Sequence, residues 1–313
     1  MSYKDFLRAM TPYCRTPFFS STDDYLKSNT PEILQKVDVD GDGRISFAEF
    51  FFFLVLLQTH PAQLRIVFKH YSADGNLPKC KASSALRELR AATKAGSRQT
   101  DQASVDARAV KATEADFAHT TSALVEVLFK DKDVVSVRDI LDLQKKLHED
   151  LWHYQFYTLL PNEEGHISTE NFLKSNLPSL SGYHLERHRR RIAKISKELE
   201  GKDPGVSLEQ FIAMQYFFEQ IDVLKAKVAH LRYLDYATYL DVVEDFYESE
   251  PYCLEHSCME HDCHGHAKTV VPEHITKSLF NFLDTNESGK LDLAEIRVFQ
   301  HRVIGLCKVR RTQ

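Results

Sequence analysis

The sequence predicts an all-α protein, a two-lobed array of helix–loop–helix units. Three observations carry that prediction. Apolar residues recur at three- and four-residue intervals in stretches such as "SVRDILDLQKKLHEDLWHYQFY" and "LEQFIAMQYFFEQIDVLKAKVAHLRYL", the period of a helix with one buried face. Short polar loops break this pattern at spacings that suit a repeated unit. Near the two ends, loops of one twelve-position design stand complete.

The first complete loop lies in "KVDVDGDGRISFAEFFFFLVLL". Asp38, Asp40 and Asp42 occupy positions 1, 3 and 5, Gly43 position 6, Arg44 position 7, Ile45 position 8, Ser46 position 9 and Glu49 position 12. Ca2+ takes six to eight hard oxygens, and this spacing supplies them: alternate side chains, the carbonyl at 7, a water held at 9 and a bidentate Glu at 12. It is the EF-hand calcium loop. Ile33, Leu34 and Val37 line an incoming helix, and Phe50, Phe53 and Leu54 an outgoing one. The apolar block Phe50–Leu57 admits two readings: a helix buried on all sides, or a face offered to a partner.

The second loop, in "FLDTNESGKLDLAEIRVF", repeats the register with Asp284, Asn286, Ser288, Gly289, the Lys290 carbonyl, Leu291, Asp292 and Glu295. Leu279, Phe280 and Leu283 precede it; Ile296 and Phe299 follow. Two Ca2+ sites are therefore expected. The 38–49 loop carries four carboxylates at direct positions, whereas the 284–295 loop has three, one at position 9, so the first is expected to bind more tightly.

Hands fold in pairs, and degenerate loops fill the space between these two. Ser72–Ser83, in which Leu77 stands at the glycine position and Ser83 at the glutamate position, is read as a metal-free hand. Leu128–Asp139 and Leu160–Asn171 keep an apolar eighth residue, Val135 and Ile167, and a further loop around Val206 ends near Gln210. The partner of the Asp284 loop is expected near Asp235–Phe246. Residues 81–118, rich in Ala, Ser, Thr and charge, read as a flexible linker. That divides the chain into an amino-terminal lobe, 1–80, holding the 38–49 loop and a degenerate partner, and a carboxy-terminal lobe, 119–313.

Composition limits the remaining classes. With 43% hydrophobic and 27% charged residues and a net charge of −5, the chain reads as globular, and nucleic acid is not an expected partner. The longest apolar run, Phe50–Leu57, falls short of the roughly 20 residues that span a bilayer. The opening "MSYKDFLRAM" lacks the features of a secretory signal or a transit peptide. Nucleophile elbow, P-loop and HExxH are all missing from the sequence, so no enzyme is expected.

"MSYKDFLRAMTPYCRTP", "ISFAEFFFFLVLLQTHPAQLRIVFKHYSADGN" and "LQKKLHEDLWHYQFY" together resemble the mitochondrial calcium uptake (MICU) family. The resemblance runs in order through nearly the whole chain. It implies a calcium-sensing gatekeeper subunit of the mitochondrial calcium uniporter, blocking the pore at low calcium and releasing it when the hands fill. It further implies contact with the uniporter pore complex, a homo- or heterodimer with a MICU paralogue, and a place at the inner membrane facing the intermembrane space, the targeting segment lying outside this chain. The site has shifted relative to animal members, whose first live loop follows the "LRIVFK" helix. Of the family's pore-facing basic set, Arg8 matches by motif. The alternative is an EF-hand adaptor of another complex, such as a phosphatase regulatory subunit, against which the "DFLRAMTP" motif speaks.

Two features remain outside that resemblance. In "YCLEHSCMEHDCHGHA", Cys253, Cys258 and Cys263 crowd beside His256, His261, His264 and His266. Three readings stay open: an irregular insertion without metal, a Cys3His zinc site, or a Cys253–Cys263 disulfide in the oxidising compartment that the resemblance implies. Cys307 matches the family's carboxy-terminal cysteines by location. The basic run "LERHRRRIAKISK" reads as a solvated helix face or as a peripheral contact with anionic membrane or an acidic pore mouth.

Overall fold

The computed structural model describes residues 2–10, 38, 42–59, 61–72, 74, 76–93, 125, 128–129, 132–177, 180, 183–219, 221–249 and 271–297. The fold is all-α, as the periodicity predicts. In chain order the elements are α1 (Tyr3–Met10), α2 (Phe47–Gln58), α3 (Pro61–Tyr71), β1 (Asn76–Pro78), α4 (Lys79–Ala92), β2 (Val134–Ser136), α5 (Val137–Thr158), β3 (His166–Ile167) and α6 (Thr169–Lys174). They continue with α7 (Tyr183–Glu198), β4 (Val206–Ser207), α8 (Leu208–Glu219), α9 (Ile221–Leu231), β5 (Tyr233–Asp235), α10 (Tyr236–Ser249), α11 (Glu273–Leu283), β6 (Lys290–Asp292) and α12 (Leu293–Arg297). The chain forms two compact units whose boundary falls between Leu151 and Trp152. No helix among the described residues is long and apolar enough to cross a membrane.

The short strands pair antiparallel in three sets, β1·β2, β3·β4 and β5·β6. At the centre of each, two apolar residues face each other: Leu77 and Val135, Ile167 and Val206, Leu234 and Leu291. Each of these pairs joins position 8 of one loop to position 8 of another. A fourth contact, an isolated bridge between Ser2 and Arg44, obeys the same rule one step along. Arg44 is position 7, and position 7 pairs with position 9 elsewhere, as Asn76 does with Ser136. Ser2 therefore stands at position 9 of a half-hand whose outgoing helix is α1.

Four of the outgoing helices share one starting device, whereas α4 begins at Pro78 with no side-chain cap. Ser46 and Glu49 form a capping box at the head of α2, and the same reciprocal bonds between positions 9 and 12 join Ser136 with Asp139, Ser207 with Gln210, and Asp292 with Glu295. At the chain start the Asp5 amide donates to Ser2 Oγ at 3.2 Å. Each cap satisfies amides that a helix start leaves without a partner.

This pairing corrects the expected hand assignments. The Asp38 loop does not take the Ser72 hand as its partner; that hand pairs with the Val135 loop across residues 94–118, which lie outside the described set. Its register also shifts by two. With Leu77 at position 8, the loop runs from His70 to Lys81, so Lys81, not Ser83, stands where glutamate would close on an ion. The partner of the Asp284 loop is β5, not Asp235–Phe246. That register is Lys227–Thr238, with Arg232 at φ +70° taking the turn usually given to glycine. The linker assignment fails over its first residues, because Lys79–Ala92 is helical with Ala82, Ala85 and Leu89 buried. Alanine is the best helix former, and its small side chain lets α4 pack closely on α3.

The apolar block of α2 is largely interior. Phe53, Val55, Leu56 and Leu57 are buried, while the side chains of Phe51 and Phe52 lie outside the described set. The Phe6 ring, wholly buried, sits 4.9 Å from Phe53 and 6.1 Å from Phe50. At the other end of α2, Val55, Leu56 and Thr59 enter the groove of the β1·β2 pair beside Phe68, Leu77 and Val135, leaving an apolar cavity of only about 20 Å³. Gln144 fixes that end, its amide donating to the carbonyls of Leu56 and Thr59 at 2.6 Å each. In the second unit the core is aromatic: Trp152 meets Tyr216 edge-on at 4.7 Å, and Phe211 packs on Phe156 and Phe172.

Candidate metal-binding loops

In the first loop, Asp38 is only 7% exposed. Its Oδ1 accepts the Asp42 amide at 3.2 Å and its Oδ2 the Gly43 amide at 2.8 Å. Gly43 reaches φ +74°, which a side chain would strain. Asp42 Oδ1 accepts the Arg44 amide at 2.7 Å, and Glu49 Oε2 the Ser46 amide at 2.7 Å. The Tyr3 hydroxyl, from α1, donates to Asp38 Oδ2 at 2.7 Å. Burial, the bond to Asp38 and the charges of Asp38, Glu49 and Asp42 push that phenol well above its ordinary range. The backbone and side chain of Asp40 lie outside the described residues.

The second loop repeats the scheme. Asp284, 3% exposed, accepts the Ser288 amide at 3.0 Å on Oδ1 and the Gly289 amide at 2.9 Å on Oδ2. Asn286 Oδ1 takes the Ser288 amide at 2.9 Å, and the Ser288 hydroxyl donates to the Lys290 carbonyl at 2.9 Å. Glu295 folds back over the loop: Oε1 accepts the Thr285 amide at 2.8 Å, Oε2 the Asp292 amide at 3.2 Å. Burial, opposed by the Asp292 and Asn286 amides and reinforced by the charges of Asp292 and Asp284, raises its carboxyl.

Both donor sets consist of carboxylate, amide, hydroxyl and carbonyl oxygens, the chemistry that suits a hard cation. The amides of positions 5 and 6 hold each position-1 aspartate in place, and glycine at position 6 keeps the turn open. Among the described residues, no group of three or more His, Cys, Asp or Glu is drawn together on one point; the acidic side chains rest on backbone donors, Glu295 most visibly. The Cys253, Cys258, Cys263 cluster and its histidines fall outside the described residues, as does Cys307. Cys80 is a free, exposed thiol.

The metal-free reading of the β1·β2 hands has a structural basis. The Lys81 ammonium, at position 12, donates to the Tyr71 carbonyl at 3.0 Å. Lys132, at position 5 of the partner loop, lies 3.6 Å from the Asp139 carboxylate. Hydrogen bonds from Ser72 and Asn76 draw the exposed Asp74 carboxyl down to about 2. In the β3·β4 pair, Asp203 accepts from the Thr169 amide and hydroxyl at 2.9 and 2.7 Å, tying one loop to the other without an ion.

The basic helix α7 is only partly a solvated face. Arg191, 8% exposed, donates from Nε to the Asn281 carbonyl at 2.8 Å and from Nη1 to Glu287 at 3.1 Å; Lys194 also pairs with Glu287. Glu287 is position 4 of the second loop, so α7 grips that loop directly. His188 packs edge-on against Phe282 at 4.8 Å. Burial holds its imidazole down to about 4, opposed by its bond to the His184 carbonyl and reinforced by His184 and Arg187. An unfolded histidine titrates near 6.5, so stability is complete above that pH and is lost as pH falls from about 6.5 toward 4, by about 1 kcal/mol at pH 5.5. Melts at pH 7.5 and 5.5 should show a smaller drop in His188→Phe than in the native chain; equal drops would remove the effect.

The EF-hand family model matches residues 32–53 and 276–300, the two complete loops. The mitochondrial calcium uptake protein 1 homolog of Caenorhabditis briggsae is 24% identical over 245 residues, covering 71% of this chain and 44% of that protein. The mitochondrial calcium uptake protein of Arabidopsis thaliana is 22% identical over 285 residues, 88% of this chain and 52% of that protein. Among solved structures, EFHA2 in its apo state superimposes with a TM-score of 0.58 at 18% identity, covering 97% of this chain and 84% of that one. The apo structure of the mitochondrial calcium uniporter protein MICU2 gives 0.55 at 12%, covering 96% and 76%. The chain is thus similar in sequence to calcium uptake (MICU) proteins and shares the fold of these EF-hand structures. It spans about half the length of the curated relatives it matches, and within the family fold its half-hand at Ser2 and its Tyr3–Asp38 contact are the features that sequence patterning did not expose.

Proposed function

We propose that the chain is a calcium-sensing regulatory subunit of the mitochondrial calcium uniporter, blocking the pore at low calcium and relieving the block as its hands fill. The observation that carries this reading is the placement of two loops with complete oxygen-donor sets in one array with the β1·β2 hands, where Lys81 and Lys132 stand at ligand positions. Asp38, Asp40, Asp42, the Arg44 carbonyl, Ser46 and Glu49 hold one ion; Asp284, Asn286, Ser288, the Lys290 carbonyl, Asp292 and Glu295 hold the other. A bound ion supplies a positive centre that draws position 12 inward and with it the outgoing helix, α2 or α12. Because α2 ends in the β1·β2 groove, movement at the first loop is passed to a pair that binds nothing itself.

The names of the relatives support a mitochondrial setting, and the proposed place is the inner membrane facing the intermembrane space, as a homo- or heterodimer on the pore complex. The test is calcium titration by calorimetry, with light scattering at zero and saturating calcium, followed by uptake through a reconstituted uniporter. Two sites at about 10⁻⁷ to 10⁻⁵ M, with uptake held back below that range and released above it, support the reading. Uptake unaffected by the chain at any calcium level overturns it.

A further inference from the structure

The two complete loops are paired alike, yet their position-1 aspartates are held differently. In each pair the partner half-hand places a tyrosine immediately after its position-9 residue: Tyr3 after Ser2, Tyr236 after Asp235. Tyr3 donates its hydroxyl to Asp38 Oδ2 at 2.7 Å. Tyr236 instead stands edge-on to Phe280 at 5.3 Å, and among the described residues Asp284 accepts from the Ser288 and Gly289 amides and from no side chain. Asp38 Oδ2 thus takes both the Gly43 amide and a phenol.

We propose that Tyr3 is a positioning residue for the first calcium site. With Oδ2 held from two directions at 2.7 and 2.8 Å and Oδ1 by the Asp42 amide at a longer 3.2 Å, the carboxylate is fixed in rotation with Oδ1 the less tightly held oxygen; outer donors of this kind fix the orientation of a ligand and raise its affinity. Tyr3 is also tied to the loop from a second point, through the Ser2–Arg44 bridge, and to the outgoing helix through Phe6 against Phe50 and Phe53. The segment Ser2–Phe6 therefore touches the first ligand, the middle of the loop and the helix that follows it. It is the element that registers filling of this loop.

The inference rests on the calcium reading of the Asp38 loop and is tested with the second site silenced. In an Asp284→Ala chain, Tyr3→Phe keeps the ring and removes only the hydroxyl. Calorimetry should show calcium affinity at the first site weakened about tenfold, and the calcium-induced change in tyrosine absorbance should disappear. In an Asp38→Ala chain, neither Tyr3→Phe nor Tyr236→Phe should move the affinity of the second site by more than about twofold. Unchanged affinity in Tyr3→Phe, or an equal loss at both sites, overturns the proposal. An Asp284→Ala chain with Tyr3 intact that binds no calcium overturns the calcium reading itself, and this inference with it.

Discussion

Phe6→Ala is expected to destabilise the first unit by about 3–5 kcal/mol. The ring is wholly buried and lies 4.9 Å from Phe53 and 6.1 Å from Phe50, so its loss forfeits both the transfer energy of a large side chain and an aromatic cluster contributing about 0.5–1.5 kcal/mol beyond area. The rings left behind, Phe50 and Phe53, are both on α2, a helix anchored at its start by the Ser46–Glu49 capping box. A urea melt followed by circular dichroism measures the effect. Ile66, 59% exposed on α3, is the control; Ile66→Ala should change stability by no more than about 0.5 kcal/mol. A Phe6→Ala shift no larger than that of the control would show that α1 does not hold α2.

Asp38→Ala should weaken calcium binding at the first loop by at least about two orders of magnitude, the span over which ligand charge and rigidity tune sensor loops. The substitution removes a ligand, and it also strips the Asp42 and Gly43 amides of the acceptor that shapes the turn. Asp284→Ala does the same to the Ser288 and Gly289 amides. Each single variant should titrate as one site, and the double variant as none. The site left in Asp284→Ala should be the tighter, because its loop has four carboxylates against three; the reverse order would show that amide bonding to Glu295, not ligand charge, governs the ranking.

The helices and the two complete loops were legible because each follows from a local rule. Period 3.6 marks the helices, and alternate acidic side chains with glycine at position 6 mark the loops. Pairing was not legible, because it depends on which apolar residue meets which at a distance. Spacing alone put Leu77 at position 6, and Val135 opposite it puts it at position 8 instead. Alanine-rich Lys79–Ala92 looked like a linker because burial there needs small side chains rather than large ones. Tyr3 gave no signal at all; a tyrosine 35 positions away from the aspartate it touches has no motif to announce it. The polar residue at position 9 followed by a carboxylate or amide at position 12 was a usable signal, since it recurs at Ser136, Ser207 and Asp292.

That recurring cap separates two things that calcium loops usually combine. In a hand whose outgoing helix is ordered only by its ion, loss of one ligand unravels the structure as well as the site. Here Ser136 with Asp139 and Ser207 with Gln210 start their helices without any ion, and an ammonium or a neighbouring aspartate occupies the charge balance of the loop. Metal binding is thereby a detachable property of each unit. Acidic residues can be lost from one loop and gained in another while the array keeps its architecture.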